Sequence, residues 1–152
     1  MQCAGLLSTS AFEECGVSRE SVQNEVCGAR MVSDLGGELL FDARTTKAYV
    51  VDRSLLDREM AQRAADAGAE FLLKTSVSGM QGSSLLTRGV RGREEIPFRL
   101  VIAADGPRSS VARMLGLRRP EIYLGGVQAE VPCRVDPRYV ELHPNASPDF
   151  FG

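Results

Sequence analysis

The chain has 152 residues, a length suited to one domain, and its 43% hydrophobic and 25% charged content is that of an ordinary globular protein able to bury a core. A formal net charge of -2, with acidic and basic residues interspersed, provides no electrostatic footprint for nucleic acid. Cys3, Cys15, Cys27 and Cys133 lack C-x-x-C spacing, which argues against a disulfide scaffold or a structural zinc site and for reduced thiols in a cytoplasmic setting.

No apolar run approaches the roughly 18 residues of a spanning helix, and the opening residues lack the basic-then-apolar pattern of a signal peptide. After Gln2-Cys3-Ala4-Gly5-Leu6-Leu7, Ser8 or Thr9 is placed to cap a short helix over 11–15 that Gly16 stops. A connection then leads into β structure. Residues 29–33 and 38–44 predict strands around the Gly36-Gly37 turn, and 48–51 a third.

The best helix signal covers 54–67. Ser54-Leu55-Leu56-Asp57 resembles a capping box, Leu56, Met60, Ala64 and Ala67 share one face, and Gly68 supplies the stop. Residues 70–77 are expected as a strand, 83–88 and 95–98 as antiparallel strands, and 100–104 as a buried strand. Helix and parallel strands would thus alternate with antiparallel insertions. Residues 126–133 and 139–143 read as strands of a second sheet, separated by Pro132 and Pro137. The last residues, Asn145-Ala146-Ser147-Pro148-Asp149-Phe150-Phe151-Gly152, carry aromatics without a stop signal or cap, and no internal repeat is visible.

The most informative stretch is 100–116. Its apolar run stops at Asp105-Gly106, and helical spacing restarts after Ser109. A turn at the carboxyl end of a buried strand is where α/β sheets bind ligands, and its free backbone N–H groups suit a nucleotide's phosphates.

Three separated segments occur in the order seen in FAD-dependent oxidoreductases: Cys3-Ala4-Gly5-Leu6; Asp52-Arg53 with Asp57, followed by Ala64-Ala65-Asp66-Ala67-Gly68-Ala69-Glu70; and residues 101–109. On these residues the chain resembles the geranylgeranyl reductase family, which shares its fold with the aromatic-ring flavin hydroxylases. The resemblance covers nearly all 152 residues, and Asp149-Phe150-Phe151-Gly152 is similar to the approach to that family's substrate-domain Trp-x-x-Pro segment. It implies an α/β fold: a partial FAD-binding, Rossmann-like domain of the glutathione reductase/aromatic hydroxylase type with antiparallel insertions over 1–120, and the start of an antiparallel substrate-domain sheet over 121–152. The chain departs from the family in having no Gly-x-Gly-x-x-Gly after a first strand, no acidic ribose anchor on a second strand and no later Gly-Asp flavin motif. The first βαβ is therefore missing, and the chain reads as an internal fragment contributing part of an FAD site.

The resemblance places Cys3, Ala4 and Gly5 at the flavin, where small residues let backbone approach a flat ring; the alternative is a buried cysteine in a loop. It gives Arg53 an FAD contact, with a surface salt bridge to Asp57 as the alternative. Val77 would meet the adenine edge through its backbone, or be an ordinary core valine. Asp105 and Gly106 would serve flavin and nicotinamide handling. A carboxylate beside a diphosphate is repelled by about 4 kcal/mol at about 4 Å for an effective dielectric of about 20. Asp105 is thus expected to accept from turn amides, Arg53, Arg108 or a cofactor hydroxyl, while Gly106 gives clearance and Ser109 caps the next helix. Arg108, Arg113, Arg118 and Arg119 form a modest basic cluster, either a solvated helix face or a site for a phosphorylated lipid head, and His143 is structural or substrate-domain surface.

The implied activity is flavin-driven saturation of prenyl-chain double bonds. The prenyl-lipid substrate would be a membrane-lipid precursor of archaeal type, with chlorophyll-type or quinone prenyl chains as alternatives. FAD is the expected cofactor, NADPH or another reductant the electron donor, and peripheral membrane contact would come through the complete enzyme. No catalytic residue and no metal ligand is named. An FAD-dependent aromatic monooxygenase and a non-catalytic binding module are the competing classes. A sheet lacking its first strand and helix leaves core surface uncovered, so the isolated chain is expected to be inactive and poorly soluble or oligomeric.

Overall fold

The computed structural model describes residues 3–118, 120–147 and 150–151; Gln2, Arg119, Pro148, Asp149 and Gly152, named above, lie outside the described residues. In chain order the elements are β1 (Leu6–Ser8), α1 (Thr9–Cys15), a 3-10 turn (Arg19–Ser21), β2 (Val22–Val26), β3 (Gly28–Val32), β4 (Glu38–Asp42), β5 (Ala48–Val51), α2 (Arg53–Asp66), β6 (Ser76–Gln81), β7 (Ser84–Gly89), β8 (Gly92–Pro97), α3 (Ser110–Met114), β9 (Tyr139–Leu142), β10 (Pro144–Ser147) and β11 (Phe150–Phe151). They form two units, residues 1–69 with 127–152 and residues 70–126.

In the first unit, Ser8 caps α1 as expected, its hydroxyl accepting from Ala11 N–H at 3.1 Å, and Gly16 ends the helix in the left-handed conformation at φ 61°. β5 lies between β1 and β2, antiparallel to both. The period of two in β5 turns Tyr49 and Val51 inward, where they meet Phe12 of α1 and Leu56 of α2 to form the core. The Phe12 and Tyr49 rings meet edge-on at 5.1 Å, a favourable aromatic arrangement. β2, read in the sequence as a connection, becomes a strand because β5 offers it a free edge.

The expected helix over 54–67 starts one residue earlier, and Ser54 is not its cap. The Asp52 carboxylate accepts from Ser54 N–H at 2.8 Å and Leu55 N–H at 3.4 Å, so Asp52 is the N-cap. The Asp52 side chain lies two and three residues ahead of these amides and reaches both, whereas Ser54 already lies within the first turn. Of the face expected to be apolar, only Leu56 is buried; Met60 stays 42% exposed. The second sheet of this unit has order β4-β3-β9, with β3 antiparallel to β4 and parallel to β9. Gly28 is required in β3, because a Cβ there would lie 1.8 Å from the Phe41 carbonyl oxygen.

The second unit holds the antiparallel meander β6-β7-β8 and α3, whose buried Val111 packs toward β6. Three expected strands are corrected. Residues 70–75 are irregular, and β6 begins only at Ser76. Residues 100–104 form no strand, and Leu100 and Ile102 are 78% and 80% exposed rather than buried. Residues 126–133, in the first unit for most of their length, also form none. The physical reason is shared: an apolar run becomes a buried strand only where neighbouring strands satisfy its backbone, and no described strand pairs with these segments. The only parallel pairing among the described residues is β3 with β9.

Candidate functional site

The first candidate site is the turn from β5 into α2. Val51 N–H donates to the Gly5 carbonyl at 2.9 Å, and Asp52 N–H to the Ser21 carbonyl at 2.7 Å, which ties residues 3–5 to the carboxyl end of β5. Gly5 has φ 75°, and a Cβ on it would come within 2.2 Å of the Val51 carbonyl oxygen. Its lack of a side chain therefore serves close packing on β5. Cys3, half-buried, accepts from Gly5 N–H at 3.4 Å through Sγ. That bond holds the thiol below its ordinary value; partial burial opposes the shift, and the Arg53 guanidinium supports it. Ala4, between them, is exposed.

Arg53, the first residue of α2, grips Asp57 one turn on: Nε lies 3.1 Å and Nη2 2.9 Å from Oδ1, with Nη2 3.3 Å from Oδ2. Asp57 raises the guanidinium's already high pKa. A partly exposed pair of this kind contributes at most about 1 kcal/mol, so it orients the fork without committing it. The guanidinium also reaches the Cys3 thiol, so Arg53 links Asp57 to the Cys3 segment.

The second candidate site is the turn before α3. The Asp105 carboxylate accepts from the Ser109 hydroxyl, from Ser110 N–H at 2.7 Å and Oγ at 3.1 Å, and from Val111 N–H at 3.3 Å. These bonds, led by the Ser109 hydroxyl, hold Asp105 down to about 2. Ser109 is the N-cap of α3 as expected, its Oγ accepting from Ala112 N–H at 2.8 Å. Asp105 thus spends its acceptors on the turn amides and hydroxyls and organises the loop. Gly106 adopts φ 82°, and a Cβ there would meet nothing within 4 Å. Unlike Gly5, this glycine faces open space.

Val77 lies in β6 opposite Thr87, half-buried, beside a register shift between Val77 and Gly79. The structure therefore brings Cys3, Gly5, Arg53 and Asp57 together in one unit and places Val77, Asp105 and Gly106 in the other. The sequence reading missed Asp52 as the residue that anchors Arg53. The available signal was an acidic side chain two residues ahead of the first free helix amide. His143 faces Glu141, its Nε2 3.4 Å from a carboxylate oxygen, at the surface.

An α/β chain of small, mostly antiparallel sheets whose strand-to-helix turn gathers a thiol and an arginine has the fold of a solved geranylgeranyl bacteriochlorophyll reductase-like protein from Thermoplasma acidophilum. The two superpose with a TM-score of 0.78 at 24% identity, over 96% of this chain and 41% of that one. Digeranylgeranylglycerophospholipid reductase 2 of Methanothermobacter thermautotrophicus is 35% identical over 94% of this chain, and reductase 1 of the same organism 32% identical over 86%. The chain belongs to the geranylgeranyl reductase family. No protein-family model matches it. It spans 40% and 36% of the length of those two reductases. Among the described residues no helix is long and apolar enough to cross a membrane.

Proposed function

We propose that this chain forms part of an FAD-dependent, geranylgeranyl reductase-like oxidoreductase that saturates prenyl-chain double bonds of isoprenoid membrane lipids. Residues 1–120 then belong to its Rossmann-like FAD-binding domain and 121–152 to the start of its substrate domain. The observation that carries the reading is the β5–α2 turn, where the bond from Val51 N–H to the Gly5 carbonyl brings the Cys3 segment beside Arg53, whose fork Asp57 orients. The residues present fit the cofactor: Arg53 suits an anionic oxygen, Ala4 is exposed for a flat ring, and Gly106 leaves open space where backbone can approach a ligand.

Bound FAD supplies the hydride chemistry of double-bond reduction. The chain's own residues position and bind. Asp57 orients the Arg53 fork, the Gly5 amide and Arg53 favour the thiolate of Cys3, and Asp105 locks the loop whose Gly106 offers clearance. Val77 presents backbone to the adenine edge. NADPH or another reductant supplies electrons, and catalysis by the reductases named above on phospholipid substrates favours a prenyl-lipid over the aromatic substrate of a monooxygenase.

The test is flavin absorbance of the purified full polypeptide carrying this sequence, alongside its Arg53→Gln variant. Yellow protein whose FAD affinity falls roughly tenfold or more in the variant supports the reading, since a hydrogen bond to a charged group contributes about 1.5–3 kcal/mol. Colourless protein that takes up no added FAD overturns it in favour of a binding module. Oxygen-consuming NADPH oxidation that requires an aromatic acid would move the assignment to the monooxygenase class.

A further inference from the structure

The β7–β8 hairpin carries Arg88-Gly89-Val90-Arg91-Gly92-Arg93, three arginines in six residues with no carboxylate among them, in a chain whose formal net charge is -2. β7 and β8 stay in register as far as Gly89 and Gly92, so Arg88 lies directly opposite Arg93. Cross-strand partners share a face of the sheet, and like charges placed so destabilise it. Successive residues of a strand face opposite sides: Thr87 is buried, and Arg88 and Arg93 lie exposed on the other face. Neither guanidinium has a hydrogen-bond or ion-pair partner among the described residues. Arg91, in the turn, is 4.0 Å from Glu70, but with side chains 75% and 79% exposed this pair is too loose to quench the charge of the tip.

An open cavity of about 350 Å³ lies here, lined by Ser78, Leu86, Arg88, Arg93, Glu94 and Glu95 among others. Its two carboxylates stand to one side of the arginines, Glu94 opposite Thr87 and Glu95 opposite Leu86, and neither pairs with Arg88 or Arg93. Paired strands run about 5 Å apart, a spacing at which one tetrahedral oxyanion can accept from both guanidinium forks. We propose that Arg88 and Arg93 form a binding site for the phosphomonoester group of a small organic ligand, whose dianion offsets the repulsion between them. Arg93 lies two strands from Val77, so the site is separate from the adenine edge, and Cys3 and Arg53 belong to the other unit. The proposal goes beyond the reductase reading, and its readout needs neither flavin nor turnover, so the two fail separately.

The experiment is calorimetric titration of the full polypeptide with two ligand pairs that differ only in a phosphomonoester: NADPH against NADH, and geranyl phosphate against geraniol. In at least one pair the phosphorylated member should bind roughly tenfold or more tightly than its counterpart, and the pair that does so identifies the source of the phosphate. Arg88→Gln with Arg93→Gln should abolish that preference, whereas Arg58→Gln with Arg99→Gln removes the same charge elsewhere and should preserve it. The urea midpoint of the ligand-free Arg88 and Arg93 variant should equal or exceed that of the native chain, because a like-charge pair has been removed. Equal affinity within both pairs, a preference that survives in the Arg88 and Arg93 variant, the same loss in the control, or a fall in that midpoint would each overturn the proposal.

Discussion

A few nearby donors lower the pKa of Cys3 and of Asp105, and each can be tested through that shift. The Gly5 amide and the Arg53 guanidinium favour the Cys3 thiolate. Peptide-resolved alkylation across a pH series should therefore find Cys3 reacting at lower pH than a free cysteine peptide does, with Arg53→Gln moving the Cys3 profile upward. An unchanged profile in that variant would remove Arg53 from the account. Asp105 is held near 2 in the folded chain against an ordinary 3.8. A carboxylate depressed by folding contributes stability that is fully present above its unfolded pKa and is lost as pH falls through the folded one. Amide-exchange protection of α3 should thus be greater in the native chain than in Asp105→Asn at pH 5, with the gap closing between about pH 4 and pH 2. A gap that stays constant over that window would show the carboxylate's charge to be irrelevant to the turn.

At the scale of elements, caps and close approaches decide where helices and strands begin. Asp52, not Ser54, closes the free amides of α2. Asp52→Ala should lower stability by about 1 kcal/mol, with Ser54→Ala within about 0.5 kcal/mol of neutral, as read from urea midpoints. The reverse ranking would restore the capping box expected from the sequence. Glycines separate in the same way. Gly5 and Gly28 have carbonyl oxygens where a Cβ would sit, at 2.2 Å and 1.8 Å, whereas Gly106 has open space. Alanine at Gly5 or Gly28 must shift a strand and should unfold part of the first unit. Gly106→Ala carries only the cost of its positive φ, about 1–2 kcal/mol, and should reduce flavin retention by more than its loss of stability explains. Unaltered flavin binding in Gly106→Ala would argue against a ligand at that turn.

For the molecule as a whole, the balance between buried and exposed apolar surface is the telling quantity. Leu73, Leu100 and Ile102 are each more than three-quarters exposed, although 70–77 read as a strand and 100–104 as a buried one. Exposed apolar runs with unpaired backbone recruit other chains. The chain by itself should associate as its concentration rises, seen as a growing sedimentation coefficient and binding of a hydrophobic dye. A monomer with one sharp unfolding transition would show these surfaces to be harmless.

Local chemistry explains what could be read from the amino-acid order. Ser8 and Gly16 bound α1, the Gly36-Gly37 turn separates β3 from β4, Ser109 caps α3, and Arg53 sits one helical turn from Asp57, because each feature depends on residues within a few positions. The order of the Cys3, Arg53 and Asp105 segments was also enough to indicate the family. Tertiary structure alone decided the rest. Asp52 displaced Ser54 because the chain enters α2 tethered to Ser21, β2 became a strand because β5 offered an edge, and β9 found β3 across more than a hundred residues. Residues 100–104 stayed outside any sheet for the converse reason: apolarity is a property of the segment, but a strand's hydrogen bonds belong to its neighbours.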